Sequence, residues 1–271
     1  MPGPFVNDGF HIVDKRALML EIARGNVVNH SVIHKFGKAT DFGEGDGDVT
    51  IWDGANDAYT GTGTAMQYTY SATADISQLS STDGGDTQVI EIHGLDTNYD
   101  LVVQNVTLNG TTPVDMTILG TPLRRAFRMK NIGATTLAGI VHLSIAGAAL
   151  TAGEPDVLSE NRAIISDHNQ TLMAIYTVPA GCTAYMTDFH VSLAGAKRTV
   201  ACVFHLESRA EGGVFQTKHT GAVLDTGTSH INYHYHVPQS FSEKTDIEIH
   251  ANTDSDTTAL SAGFDLILIN N

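Results

Sequence analysis

The chain predicts an all-β protein: two antiparallel β-sandwich domains, jelly-roll-like, preceded by an N-terminal arm with one short helix. Three observations predict it. Residues 95–114 (LDTNYDLVVQNVTLNGTTPV) and 170–185 (QTLMAIYTVPAGCTAY) each place alternating apolar residues on either side of a Gly, Pro or Asn turn, the pattern of antiparallel sheet with one buried face. Composition agrees, since only 17% of the 271 residues are charged and 26 are Gly, with Thr, Val, Ala and Asn abundant, which favours short strands and tight turns. Strand-length apolar runs also recur in two series, separated by a polar join at residues 147–170.

Residues 1–47 read as the arm. Asp14 is a candidate N-cap for a helix to Arg24, with Leu18, Ile22 and Ala23 on a helical repeat and Gly25 as the stop. The acidic, glycine-rich loop GKATDFGEGDGD follows at 37–48. The first sandwich is expected over 48–150, with strands at Asp48–Trp52, Gln67–Ser71, Thr87–His93, Tyr99–Leu108, Val114–Leu119, Arg124–Asn131 and Gly139–Ile145. The second is expected over 151–271, with strands at Leu172–Val178, Thr183–Val191, Thr199–Glu207, Val214–His219, His230–Val237, Asp246–Ala251 and Gly263–Ile269. In the last strand Phe264, Leu266 and Leu268 share one face while Ile267 and Ile269 lie on the other. Such a strand is buried on both sides or meets another subunit, so a homo-oligomer is expected.

Charge narrows the partners. The chain carries 15 basic and 30 acidic residues, a net of −15, and neither half is basic. A field of that sign repels nucleic acid and anionic lipid, so neither is expected as a partner. The start MPGPFVNDGF has no cationic flank before an apolar run, and no window approaches the roughly 18 apolar residues of a membrane span. Synthesis in a cytoplasm is expected. Cys182 and Cys202 form no zinc spacing and read as two buried thiols, although neighbouring strands could also bring them within disulfide distance.

The sharpest chemical candidate is HINYHYHV at 230–237, where a period of two puts His230, Asn232, His234 and His236 on one face. Two such imidazoles can share a metal, but a third ligand is not identified. The row reads as polar and facing solvent or a subunit. In the acidic loop Asp41, Glu44, Asp46 and Asp48 could wrap calcium, yet the spacing is not that of an EF-hand, and a mobile acidic loop is the simpler reading. Arg124, Arg125, Arg128 and Lys130 read as ion pairs to the protein's own acids or to an acidic neighbouring subunit. No GxSxG, HExxH or GxxxxGK[ST] motif is present. The nearest dinucleotide-like spacing, at Gly61 and Gly63, has Met66 where the third Gly belongs. No enzyme activity, cofactor or metal is expected.

The segments EIARGNVVNHSVIHKFG at 21–37 and Trp52-Asp53-Gly54, with the two turn-bearing segments above, resemble a family of virion structural proteins of tailed bacteriophages, many marine or cyanobacterial. The likeness runs over most of the chain in the same order and contains no catalytic motif. Cys182 departs from it, standing where a polar or basic residue is expected. The resemblance implies a capsid decoration, or cement, protein on the outer surface of the head, bound to the major capsid protein and forming a homo-oligomer, with a trimer favoured. Ile22, Val27, Phe36 and Trp52 are the candidate capsid-docking anchors, against a reading of each as ordinary core. The alternative is a tail, baseplate or fibre component that binds a host-surface receptor.

Overall fold

Alternating side chains put most of this chain into strands. A computed structural model describes residues 15–55, 67–195, 200–225, 229–255 and 258–271. Within them α-helix is confined to Lys15–Ala23 and a single turn at Met116–Leu119. No helix among the described residues is long and apolar enough to cross a membrane.

The first strands are β1 (His30–Phe42), β2 (Val49–Thr50), β3 (Ile76–Ser81), β4 (Val89–Leu95), β5 (Leu101–Thr107) and β6 (Val114–Asp115). Then come β7 (Arg125–Asn131), β8 (Val141–Ile145), β9 (Leu150–Thr151), β10 (Glu154–Pro155) and β11 (Asn161–Ile165). The last are β12 (Ile175–Thr177), β13 (Cys182–Gly195), β14 (Ala201–Arg209), β15 (Gln216–Leu224), β16 (His230–Phe241), β17 (Asp246–Thr253) and β18 (Thr258–Asn270).

One sheet has the order β1-β18-β13-β16, and another the order β12-β17-β14-β15 with β2 added on β17. All of these pairings are antiparallel. The two sheets face each other where Phe189 of β13 meets Phe204 of β14, ring centroids 6.1 Å apart and both side chains wholly buried. The chain between β1 and β12 supplies two more sheets, β11-β8-β3-β6 and β5-β4-β7, and the β9-β10 hairpin. A single hydrophobic cluster runs through both groups of strands.

Several expectations are corrected. Residues 30–42, read as arm and acidic loop, form an edge strand paired with β18 along nearly their whole length. The apolar alternation there is broken by Lys35 and Gly37, so the local pattern hides the strand. Gly37 is required by close approach: a Cβ at this position would lie 2.4 Å from both the Ala174 nitrogen and the Ile51 oxygen. The helix ends at Ala23, just before Gly25, whose φ is 74°, while its expected cap Asp14 lies outside the described residues.

Neither of the two turn-bearing segments is a hairpin. β5 and β6 belong to different sheets, and so do β12 and β13, so each turn is a corner that carries the chain from one sheet to another. Residues Gln67–Ser71 join no strand ladder, whereas Ile76–Ser81, unassigned by pattern, does. The strand expected at Val114–Leu119 gives way after two residues because the Asp115 carboxylate accepts from the Thr117 amide at 2.8 Å and caps a helical turn. Ala163–Ile165, placed in the polar join, is buried in β11. β18 lies between β1 and β13, with Phe264, Leu266 and Leu268 in the core and Ile267 and Ile269 half-buried on the other face. Its two-sided apolar character is therefore largely satisfied within the chain.

Candidate functional sites

The four candidate docking anchors do not assemble. Trp52 is wholly buried, its ring edge-on to Tyr68 at 5.1 Å, and Ile22 is 3% exposed, so both are core residues. Val27 is half-buried. Phe36 stands on the outer face of β1, 40% exposed, opposite Gly263.

The histidine row of β16 does occupy one outer face, and the structure extends it across the sheet. His234 stands opposite Asp188, Asp188 opposite Asp265, and Asp265 opposite His34, one residue from each of four strands. His34 Nδ1 lies 2.7 Å from Asp265 Oδ1, and His234 Nδ1 lies 2.6 Å from Asp188 Oδ1. His230 Nδ1 pairs with the Ser192 hydroxyl at 2.6 Å. Sequence spacing revealed the histidines but not the two carboxylates between them, which come from other strands.

The acidic loop is used locally. Asp46 Oδ2 accepts from the Gly43 amide at 2.7 Å, and Asp48 Oδ1 accepts from the Asn252 amide at 2.6 Å. Cys182 and Cys202 are free and buried, and burial pushes the Cys202 thiol up to about 12. The basic cluster of β7 pairs largely with the protein's own acids: Arg124 with Glu211 at 3.3 Å, Lys130 with Glu91 at 2.8 Å, and Arg125 with Asp246. Gly61, Gly63 and Met66 lie outside the described residues.

Arg125 leads to the most heavily functionalised region, the outer face of the β17-β14 pair. Three rungs stack there: Asp246 opposite Arg209, Glu248 opposite Glu207, and His250 opposite His205. Period-two alternation puts Ile247, Ile249, Phe204 and Leu206 into the sandwich and leaves these polar residues to face the segment around Tyr68 and Tyr70. The Arg125 guanidinium grips Asp246 with Nε at 2.8 Å and Nη2 at 3.0 Å, and its Nη1 donates to the Ser71 carbonyl at 2.6 Å. Arg209 Nε reaches the same carboxylate at 3.0 Å, and the Thr177 hydroxyl donates to it at 2.6 Å. Tyr70 lies beneath both cations, 5.0 Å from Arg125 and 4.5 Å from Arg209.

The Tyr70 hydroxyl donates to Glu248 Oε2 at 2.9 Å, and burial followed by the Glu248 charge holds that phenol far above its usual range. Glu248 Oε1 lies 2.9 Å from His250 Nε2, which is also 3.1 Å from the Thr50 hydroxyl. Burial opposes a charge on His250, but the hydrogen bond and negative charge of Glu248 outweigh it and raise the imidazole above its ordinary value. Glu207 Oε1 accepts from the Thr217 hydroxyl at 3.0 Å. Among the described residues, Glu207, Glu248 and His250 are the group of metal-ligating side chains whose ligand atoms all lie within 4.8 Å of one another. The sequence signal was available, as D-x-E-x-H in β17 and H-x-E-x-R in β14. Only the pairing register makes it a cluster.

A second feature lies at the other side of the sandwich, where β15 and β16 end their sheets. Tyr233 is 39% exposed and Val237 80%, with Val214 at 77% in the adjoining loop. Tyr233 stacks on the buried Phe189 at 5.3 Å, so the core aromatics continue to the surface. The Tyr235 hydroxyl beside them is buried and has no hydrogen-bond partner among the described residues. Next to this edge a cleft of about 420 Å³ is lined by Arg209, Val214, Lys218 and Phe241.

No protein-family model and no curated protein matches the chain. The expected membership in a tailed-phage family therefore rests on the quoted segments alone. Among solved structures, the chain is similar to the infectious bursal disease virus VP2 subviral particle, with 11% identity over 89% of this chain and 72% of that one and a TM-score of 0.22. It is also similar to a structure of the Gt strain of infectious bursal disease virus, with 12% identity over 89% and 73% and a TM-score of 0.22. Superpositions at that score carry no weight for the fold or role of this chain.

Proposed function

We propose that this chain is a non-enzymatic virion structural protein, a capsid decoration or cement protein that binds the major capsid protein on the outside of a phage head as a homo-oligomer, with a trimer favoured. The observation that carries this reading is the exposed apolar surface where the two sheets end, Val237 on β16 and Val214 in the loop before β15, together with Tyr233, which stacks on the buried Phe189. Large apolar side chains exposed at a sheet edge suit contact with a partner. The order of the facing sheets, β1-β18-β13-β16 over β12-β17-β14-β15, is that of an eight-stranded jelly roll with residues 43–174 inserted after its first strand. Capsid proteins, lectins and cupins share that architecture, so it supports a binding body without choosing its partner. The resemblance of the quoted segments to phage virion proteins favours the head.

Purified protein added to undecorated heads is expected to bind saturably and to raise their resistance to heat. The double variant Val214→Asp, Val237→Asp is expected to lose at least tenfold in binding while its melting temperature stays within a few degrees of wild type, because both side chains are more than three-quarters exposed. Heads that neither bind the protein nor gain resistance overturn the assignment. Immunogold labelling of tails instead of heads selects a receptor-binding tail, baseplate or fibre component.

A further inference from the structure

We infer that Glu207, Glu248 and His250 form a divalent-metal site of the zinc class, tying β14 to β17 on their outer face. Glu207 and Glu248 are directly opposite each other in the β14-β17 pair, with both side chains on the outer face. Like charges so placed repel and destabilise the pair unless a cation lies between them. The two guanidiniums nearby both converge on Asp246, which leaves the single His250 imidazole, 2.9 Å from Glu248, to face two carboxylates. Glu248 is only 2% exposed, and its carboxylate is met there by the Tyr70 hydroxyl and the His250 imidazole. Two carboxylates and a neutral imidazole bound to one divalent cation make a neutral set.

The geometry suits it. Ligand atoms within 4.8 Å of one another need only a small inward movement to sit at the ~2.0–2.2 Å distances of zinc to His nitrogen and carboxylate oxygen. One imidazole with two carboxylates fits zinc better than calcium, which takes six to eight oxygens. Two of the ligands are also steadied by a neutral hydroxyl, Thr217 on Glu207 and Tyr70 on Glu248, while the Thr50 hydroxyl now at His250 Nε2 would give way to the metal. Such outer partners orient ligands without cancelling their charge. This inference is independent of the capsid assignment, because it concerns only the cohesion of the chain.

The test is calorimetric titration of the chelator-treated full chain with zinc chloride, alongside its melting temperature with and without zinc. The expected result is one equivalent bound per chain with a rise in melting temperature. Glu207→Gln and His250→Ala each abolish the binding, and Tyr70→Phe weakens it by about 10- to 100-fold. His234→Ala, on the outer histidine row, leaves it unchanged. Should His250→Ala fail to fold, Glu207→Gln, at a half-exposed position, decides the matter alone. No binding above background, binding retained in Glu207→Gln, or binding lost in His234→Ala each overturns the site.

Discussion

Lys35 is the residue whose chemistry the fold alters most legibly. It sits on the inner side of β1, 7% exposed, where its amine donates to the Phe127 carbonyl and lies 5.7 Å from the centre of the Phe127 ring. Burial, aided by the charge of Arg128, pulls its pKa down to about 7 from 10.5. The unfolded chain therefore holds more protons between those two values, and stability rises with pH across that window. The gain is on the order of a few kcal/mol, at about 1.4 kcal/mol per pKa unit. Melting curves of wild type and Lys35→Met, followed from pH 7 to 10, should converge or cross in favour of wild type as pH rises; parallel curves would show that Lys35 keeps its charge when folded. Asp53 works in the opposite sense. Burial raises its carboxyl to about 7 despite hydrogen bonds from the Leu172 amide and the Ser166 hydroxyl, so its contribution is lost as pH climbs from 3.8 through 7. Neither effect is visible in the sequence, where Lys35 and Asp53 look like ordinary surface charges.

Among the elements, β1 shows how far pattern reading reaches. Strands such as β14, with strict alternation of buried and half-buried residues, and β4 and β7 were found close to their observed positions. β1 was missed because it is an edge strand whose inner face carries Lys35, Gly37 and Ala39 in place of large apolar residues. Its specificity lies in backbone approach at Gly37. Gly37→Ala should cost on the order of 2–3 kcal/mol in urea denaturation, since the new methyl meets backbone atoms that cannot move aside singly. A loss under about 0.5 kcal/mol would mean that β1 shifts freely. The corners after β5 and β12 teach the same lesson: a Gly, Pro or Asn turn between two alternating runs marks a reversal, but whether the second run returns to the same sheet depends on partners far along the chain.

For the molecule as a whole, the decisive joint is the one between Arg125 of β7 and Asp246 of β17, which links the sheets between β1 and β12 to the sandwich formed with them. Both side chains are nearly buried, 8% and 3% exposed, whereas Arg209 on the same carboxylate is 26% exposed. Removing the buried partner leaves Asp246 short of compensation and should cost about 3–5 kcal/mol for Arg125→Ala. Removing the more solvated partner, Arg209→Ala, should cost nearer 1 kcal/mol. Equal losses in chemical denaturation would show that the two cations share the joint evenly. The basic cluster at Arg124–Lys130 reads from sequence as pairing with the protein's own acids or with an acidic neighbouring subunit, and Arg124, Arg125 and Lys130 pair with acids of the chain itself. Which acids they choose, and that one pair would be buried, was beyond it.

Alternation, turn residues and composition act between near neighbours, so the chain by itself determined an all-β antiparallel class, most strand positions, two buried thiols and a histidine row on one face of β16. Tertiary structure alone decided that β1 pairs with β18, that Trp52 is core, and that Glu207, Glu248 and His250 converge. Those outcomes depend on register between segments distant in sequence and on which faces they bury, and such contacts are settled by packing and charge compensation rather than by local pattern.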